Sequence, residues 1–96
     1  MVEKLTDDIR EEALGELGGW TFDEKLEAIG REFRFKTFSE AFGFMTRVAL
    51  AAEKAGHHPD WSNTYNRVSI ALSTHDAGGV SQRDIDLARI IDTLIQ

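Results

Sequence analysis

Residues 58–74 read His58-Pro-Asp-Trp-Ser-Asn-Thr64-Tyr-Asn-Arg67-Val-Ser-Ile-Ala-Leu-Ser-Thr74. Val68, Ile70 and Leu72 alternate with Arg67, Ser69, Ala71 and Ser73. That two-residue period is a strand with one face buried. Residues 58–64 read as a second strand, joined to the first near Tyr65-Asn66. The pair predicts a hairpin. Its open end, opposite the turn, brings the flanking residues His58 and His75 together.

Working outward, Gly56 ends a preceding helix that starts at the capping-box candidate Thr37-Phe-Ser-Glu40. Phe38, Ala41, Phe42, Met45, Val48, Ala49 and Ala52 recur on one face at helical spacing. Phe44, Ala51 and Ala55 add a second, narrower apolar strip. A helix apolar on two sides calls for a second partner, often another subunit. Before it, Trp20, Phe22 and residues 26–36 read as extended and form a hairpin through Asp23-Glu24-Lys25. Ile29, Phe33 and Phe35 share a parity that Arg31 breaks. A first helix is capped by Thr6, carries Ile9, Ala13, Leu14 and Leu17, and stops at Gly18-Gly19. On the far side of the 58–74 stretch, His75-Asp-Ala-Gly-Gly79 is a loop with a plain glycine turn. Ser81-Gln-Arg-Asp84 opens a last helix with a capping-box pattern, followed by Ile85, Leu87, Ala88, Ile91, Leu94 and Ile95. The order is α-β-β-α-β-β-α over one domain, residues 1–96. Its economical packing is an α+β fold, a four-stranded antiparallel sheet with three helices on one face. The other sheet face and an edge then need covering, and oligomerisation is a natural solution.

The chain has 96 residues and a formal charge of −6. Residues 1–30 hold all of the imbalance, from Glu3, Asp7, Asp8, Glu11, Glu12, Glu16, Asp23, Glu24 and Glu27 against Lys4, Arg10 and Lys25. An acidic chain repels phosphate backbones, so direct nucleic-acid binding is not expected. With no cysteine there is no disulfide framework, thiolate nucleophile or cysteine-held metal. No apolar run reaches the roughly 20 residues of a membrane helix. The acidic N-terminus does not read as a signal peptide. The expected location is the cytoplasm.

All three histidines, His57, His58 and His75, lie between residues 57 and 75. Imidazole gives and takes protons near neutrality, and two rings facing one pocket supply a general acid and a general base together. A three-histidine zinc site is an alternative. Adjacent residues on an extended chain point to opposite sides, which opposes zinc, although a bent loop still permits it. A Ser73-His75-Asp76 triad lacks a nucleophile elbow. Trp61 and Tyr65 flank the histidines and could stack on a flat heterocycle, or else pack in the core. Glu53 and Asp84 could orient an imidazole; the ordinary readings are a solvated helix position and a cap. Arg83 reads as exposed, or as the partner of an acid across a subunit boundary.

One pattern unites these residues: an acid four residues before His-His-Pro, then an aromatic, a third histidine ten residues on and an aspartate nine further. Here these are Glu53, His57, His58, Pro59, Tyr65, His75 and Asp84. With Trp20, Phe33-Arg-Phe-Lys-Thr-Phe38 and the last helix, the chain resembles the pterin-4a-carbinolamine dehydratases over nearly its whole length. The resemblance implies removal of water from a 4a-hydroxytetrahydropterin to give the quinonoid dihydropterin. It implies His57, His58 and His75 as catalytic residues. The pterin site would be Gly56, His57, His58, Trp61, Ser73, Thr74, His75 and Asp76, supported by Glu53 and Asp84. It also implies a homodimer or homotetramer that uses no metal or organic cofactor, and a second role in animal members, binding a transcription factor. A non-catalytic dimerisation scaffold of the coactivator type is the alternative function.

Overall fold

The structure is a computed structural model and describes residues 2–95. The elements are α1 (Asp7–Leu17), β1 (Thr21–Asp23), β2 (Ala28–Arg34), α2 (Phe38–Ala55), β3 (Asp60–Thr64), β4 (Arg67–Leu72), a single 3₁₀ turn (His75–Ala77) and α3 (Gln82–Asp92). This is the expected α-β-β-α-β-β-α order. The four strands form one antiparallel sheet in the order β1-β2-β4-β3.

The hairpin at the centre of the sequence reading is present. Thr64 pairs with Arg67 and Asp60 with Ala71, so Tyr65-Asn66 is a two-residue turn. Tyr65 takes a positive φ of 52° there, and the Asn63 side-chain amide donates to the carbonyls of Tyr65 and Arg67 at 3.0 and 2.8 Å. Val68, Ile70 and Leu72 are buried as the alternation predicts. Both strands are shorter than expected. β3 starts at Asp60 because the residues before it complete the end of α2, and Pro59 has no amide for a ladder.

Ile29 and Phe33 of β2 join the β4 residues on the buried face, and α2 and α3 close over them through Ala41, Phe44, Val48, Ile85, Leu87, Ala88 and Ile91. Phe44 packs between Phe33 and Phe35, with ring centroids 4.8 and 5.0 Å away. Arg31 keeps its place on this face because its charge is answered. Its guanidinium lies over the Phe33 ring at 4.7 Å and donates to Asp92 at 2.9 Å. The Trp20 indole N–H donates to the same carboxylate.

Two apolar stripes are rotated from their expected positions. On α2 the buried line is Ala41, Phe44, Val48 and Ala52, whereas Phe38 and Phe42 are exposed. Periodicity alone could not choose between two apolar sides, and the aromatic cluster of β2 decides. On α1, Ala13, Leu14 and Leu17 pack against the core, while Ile9 is half exposed. Arg10 takes the inward place instead, with its guanidinium 3.6 Å from the Phe22 ring centre. Among the described residues no helix is long and apolar enough to cross a membrane.

Candidate active site

The site begins at the C-terminus of α2. Gly56 adopts a left-handed conformation, φ 66°, and the His57 amide donates back to the Ala52 carbonyl at 3.1 Å. This helix stop turns the chain so that the His57 ring is buried and the His58 ring exposed. Across the hairpin's open end, β4 finishes at Leu72. Ser73 and Thr74 lead into the 3₁₀ turn that carries His75 and Asp76. The two backbone stretches meet as the geometry of the hairpin predicts. Gly56, His57 and His58 face Ser73, Thr74, His75 and Asp76 around an open cavity of about 260 Å³. That is near the small end of ligand pockets, which run from about 300 to 1,000 Å³.

Asp84 is the node of the site. It is fully buried and sits in the first turn of α3. One carboxylate oxygen lies 2.5 Å from His57 Nε2. The other accepts the Thr74 hydroxyl and the Ser81 amide, both at 2.8 Å. Asp84 is therefore both the reciprocal half of the α3 capping box and the partner of an imidazole. The two sequence readings of this residue hold together. The Thr74 side chain is 2.6 Å from the Ser81 hydroxyl, so Thr74 turns its oxygen into this buried network. Facing a carboxylate that already accepts from Thr74 and Ser81, a neutral His57 ring would carry its hydrogen on Nε2 and its lone pair on Nδ1. Glu53 holds the second histidine, with Oε1 2.9 Å from His58 Nε2, in a pair exposed to solvent.

The wall beneath His75 is braced from the far end of the chain. The Ser73 hydroxyl donates to the Glu27 carbonyl at 2.8 Å. The Glu27 carboxylate bonds Lys4 Nζ at 3.0 Å and lies where a Cβ on Gly79 would fall, 2.8 Å away. The Leu5 amide donates to the Val80 carbonyl. A side chain at Gly79 would therefore have to displace the flexible ends of Glu27 and Lys4, while Gly78, at a φ of 77°, makes the turn.

Two expected site residues lie elsewhere. Trp61 lines a separate hollow of about 220 Å³ with Ser62, Ser69 and Ala71, residues of β3 and β4. Tyr65 is exposed at the turn, the end of the hairpin away from the histidines. One cavity residue has no site role in the sequence reading, which takes it as exposed or as the partner of an acid across a subunit boundary: Arg83, in the first turn of α3, is exposed and lines the cavity with His57 and His75. Its position next to Asp84 was the available signal. Among the described residues no group of three or more histidines and acids is placed to hold a metal ion. The Nε2 atoms of His57 and His58 are turned to carboxylates instead.

The family model described as pterin 4 alpha carbinolamine dehydratase matches residues 3–94. The chain belongs to that family. Within this dehydratase family, a relative in Rhodopseudomonas palustris (strain BisB18), provisionally named pterin-4-alpha-carbinolamine dehydratase, is 60% identical over 98% of this chain and 93% of its own. A relative of the same provisional name in Rhizorhabdus wittichii is 55% identical over 99% of this chain and 98% of its own. Among solved structures, a transcriptional coactivator/pterin dehydratase from Brucella melitensis superimposes with a TM-score of 0.94 at 48% identity, over 98% of this chain and all of the other. A pterin dehydratase-like protein that is a RuBisCO assembly factor in the alpha-carboxysome gives 0.69 at 22% identity, over 80% and 89%, a likeness of fold only.

Proposed function

We propose that the chain dehydrates a 4a-hydroxytetrahydropterin. The observation that carries this reading is the cavity where imidazoles from two backbone stretches converge, one of them tethered through Nε2 to a buried carboxylate. The substrate bears a hydroxyl on C4a beside N5–H. The hydroxyl takes a proton and leaves as water, the N5 lone pair closes the C4a=N5 double bond, and the N5 proton goes to a base. One proton is given and one received, and no electrons are exchanged. His57 is the base, since its free Nδ1 can accept while Asp84 balances the resulting imidazolium. His58 and His75 are exposed, so either ring can be reprotonated from water, and the acid role falls to this pair. Asp76 at the cavity can accept from the amino and N3–H edge of a pterin. Each general acid or base contributes about 10²–10⁴ in rate.

The test is stopped-flow dehydration of enzymatically generated carbinolamine. His57→Ala is expected to lose about a hundredfold or more, and His75→Ala or His58→Ala less, because each leaves the other exposed ring. A wild-type rate equal to buffer would end the proposal.

A second reading, a dimerisation scaffold for another protein, has one observation in its favour: Phe38, Phe42 and Leu50 of α2 are exposed. Capture of one stoichiometric partner, unaffected by replacing all three histidines, would support it.

A further inference from the structure

Arg83 stands where the histidine cavity meets a second hollow of about 120 Å³, between the end of α2 and the start of α3. Ala55, Leu87 and Ile90 give that hollow apolar walls, Asp86 also lines it, and His57 borders both spaces. The Arg83 amide donates to the Ser81 hydroxyl at 3.2 Å, so the cap that fixes Asp84 also fixes its backbone. Its guanidinium, however, has no partner among the described residues. Arg10, Arg31, Arg67 and Arg89 each pair with a carboxylate, Arg47 donates to the Leu94 carbonyl, and Arg34, which also has no side-chain partner among the described residues, lies at a different cavity. The acids near Arg83 are engaged elsewhere: Glu53 with His58, Asp84 with His57, and Asp86 with the Gln82 amide at 2.9 Å. Asp76 lines the same cavity and has no side-chain partner among the described residues, Arg83 included. An unanswered cation therefore borders the site of a chain whose net charge is −6.

The dehydration step makes no use of it. Guanidinium only donates, and its planar fork matches phosphate and carboxylate. In a pterin, C6 is bonded to N5. A pterin whose N5 meets His57 therefore places its C6 side chain within reach of the residues that border His57, Arg83 among them. We propose that Arg83 is a specificity residue that binds an anionic group, a phosphate ester or carboxylate, on the C6 side chain of the pterin. The proposal rests on the dehydratase reading and names the substrate class.

Quenching of pterin fluorescence tests it directly, with 6-hydroxymethylpterin as the neutral probe and its phosphate ester and pterin-6-carboxylate as the anionic ones. Wild type is expected to bind at least one anionic probe about ten- to a hundredfold more tightly than the neutral one. Arg83→Gln should erase that ratio, Arg83→Lys should keep part of it, and added salt should shrink it. The preferred anion identifies the group. Equal wild-type binding of all three probes, or an Arg83→Gln loss equal for all three, overturns the proposal while the pterin reading stands. Failure to bind any of them removes the pterin reading, and this inference with it.

Discussion

At the scale of single residues, burial separates the two carboxylate–histidine pairs. Asp84 accepts from three donors with no water to replace any of them. Asp84→Ala is expected to cost about 1–3 kcal/mol, since the Thr74 hydroxyl and Ser81 amide lose their acceptor. A thermal melt should show it, at about 4–8 °C per kcal/mol for a domain this size. Asp84→Asn keeps the shape but can present an N–H to the ring, favouring the other tautomer. Its folded variant, checked by circular dichroism, should dehydrate the carbinolamine about a hundredfold or more slowly. Glu53→Ala, in an exposed pair, should move the melt by less than about 1 kcal/mol. Asp84 was legible twice over, as a cap and as a motif member. Arg83 was not, because a charged side chain in a first helical turn ordinarily faces water, and only the folded cavity shows what lies beside it.

At the scale of elements, the end of α2 aims the chemistry. A Cβ on Gly56 would meet nothing within 4 Å, so Gly56→Ala carries only the cost of φ 66°, about 1 kcal/mol. Gly56→Asn should recover part of that loss, and paired melts of the two variants decide it. Trp20, Arg31 and Asp92 tie the other end of α3 to the sheet. Strand periods and helix stops were legible because backbone geometry imposes them locally. The face of α2 was not: Phe42 and Phe44 are equally apolar, and only the rings of Phe33 and Phe35 on the sheet choose Phe44. Tyr65 could not be placed from spacing for a related reason. Nearness along a strand is not nearness in space, and Tyr65 lies at the opposite end of its hairpin from His58 and His75.

At the scale of the whole molecule, one aromatic cluster carries the interior. Phe44→Ala is expected to cost about 3–5 kcal/mol, against a total stability for small domains that starts near 5 kcal/mol. Urea titration should find it largely unfolded at 37 °C. The exposed Phe38, Phe42 and Leu50 support self-association, so sedimentation should give a species heavier than 10.8 kDa and Phe42→Glu should lighten it. A wild-type monomer at micromolar concentration would contradict that expectation. The shared carboxylate has one more consequence. Asp84 closes the first turn of the last helix and holds the His57 ring, so under the proposed mechanism a half-wound C-terminal segment would lack its base. During renaturation, recovery of turnover should therefore track the far-ultraviolet signal of that segment and never precede it.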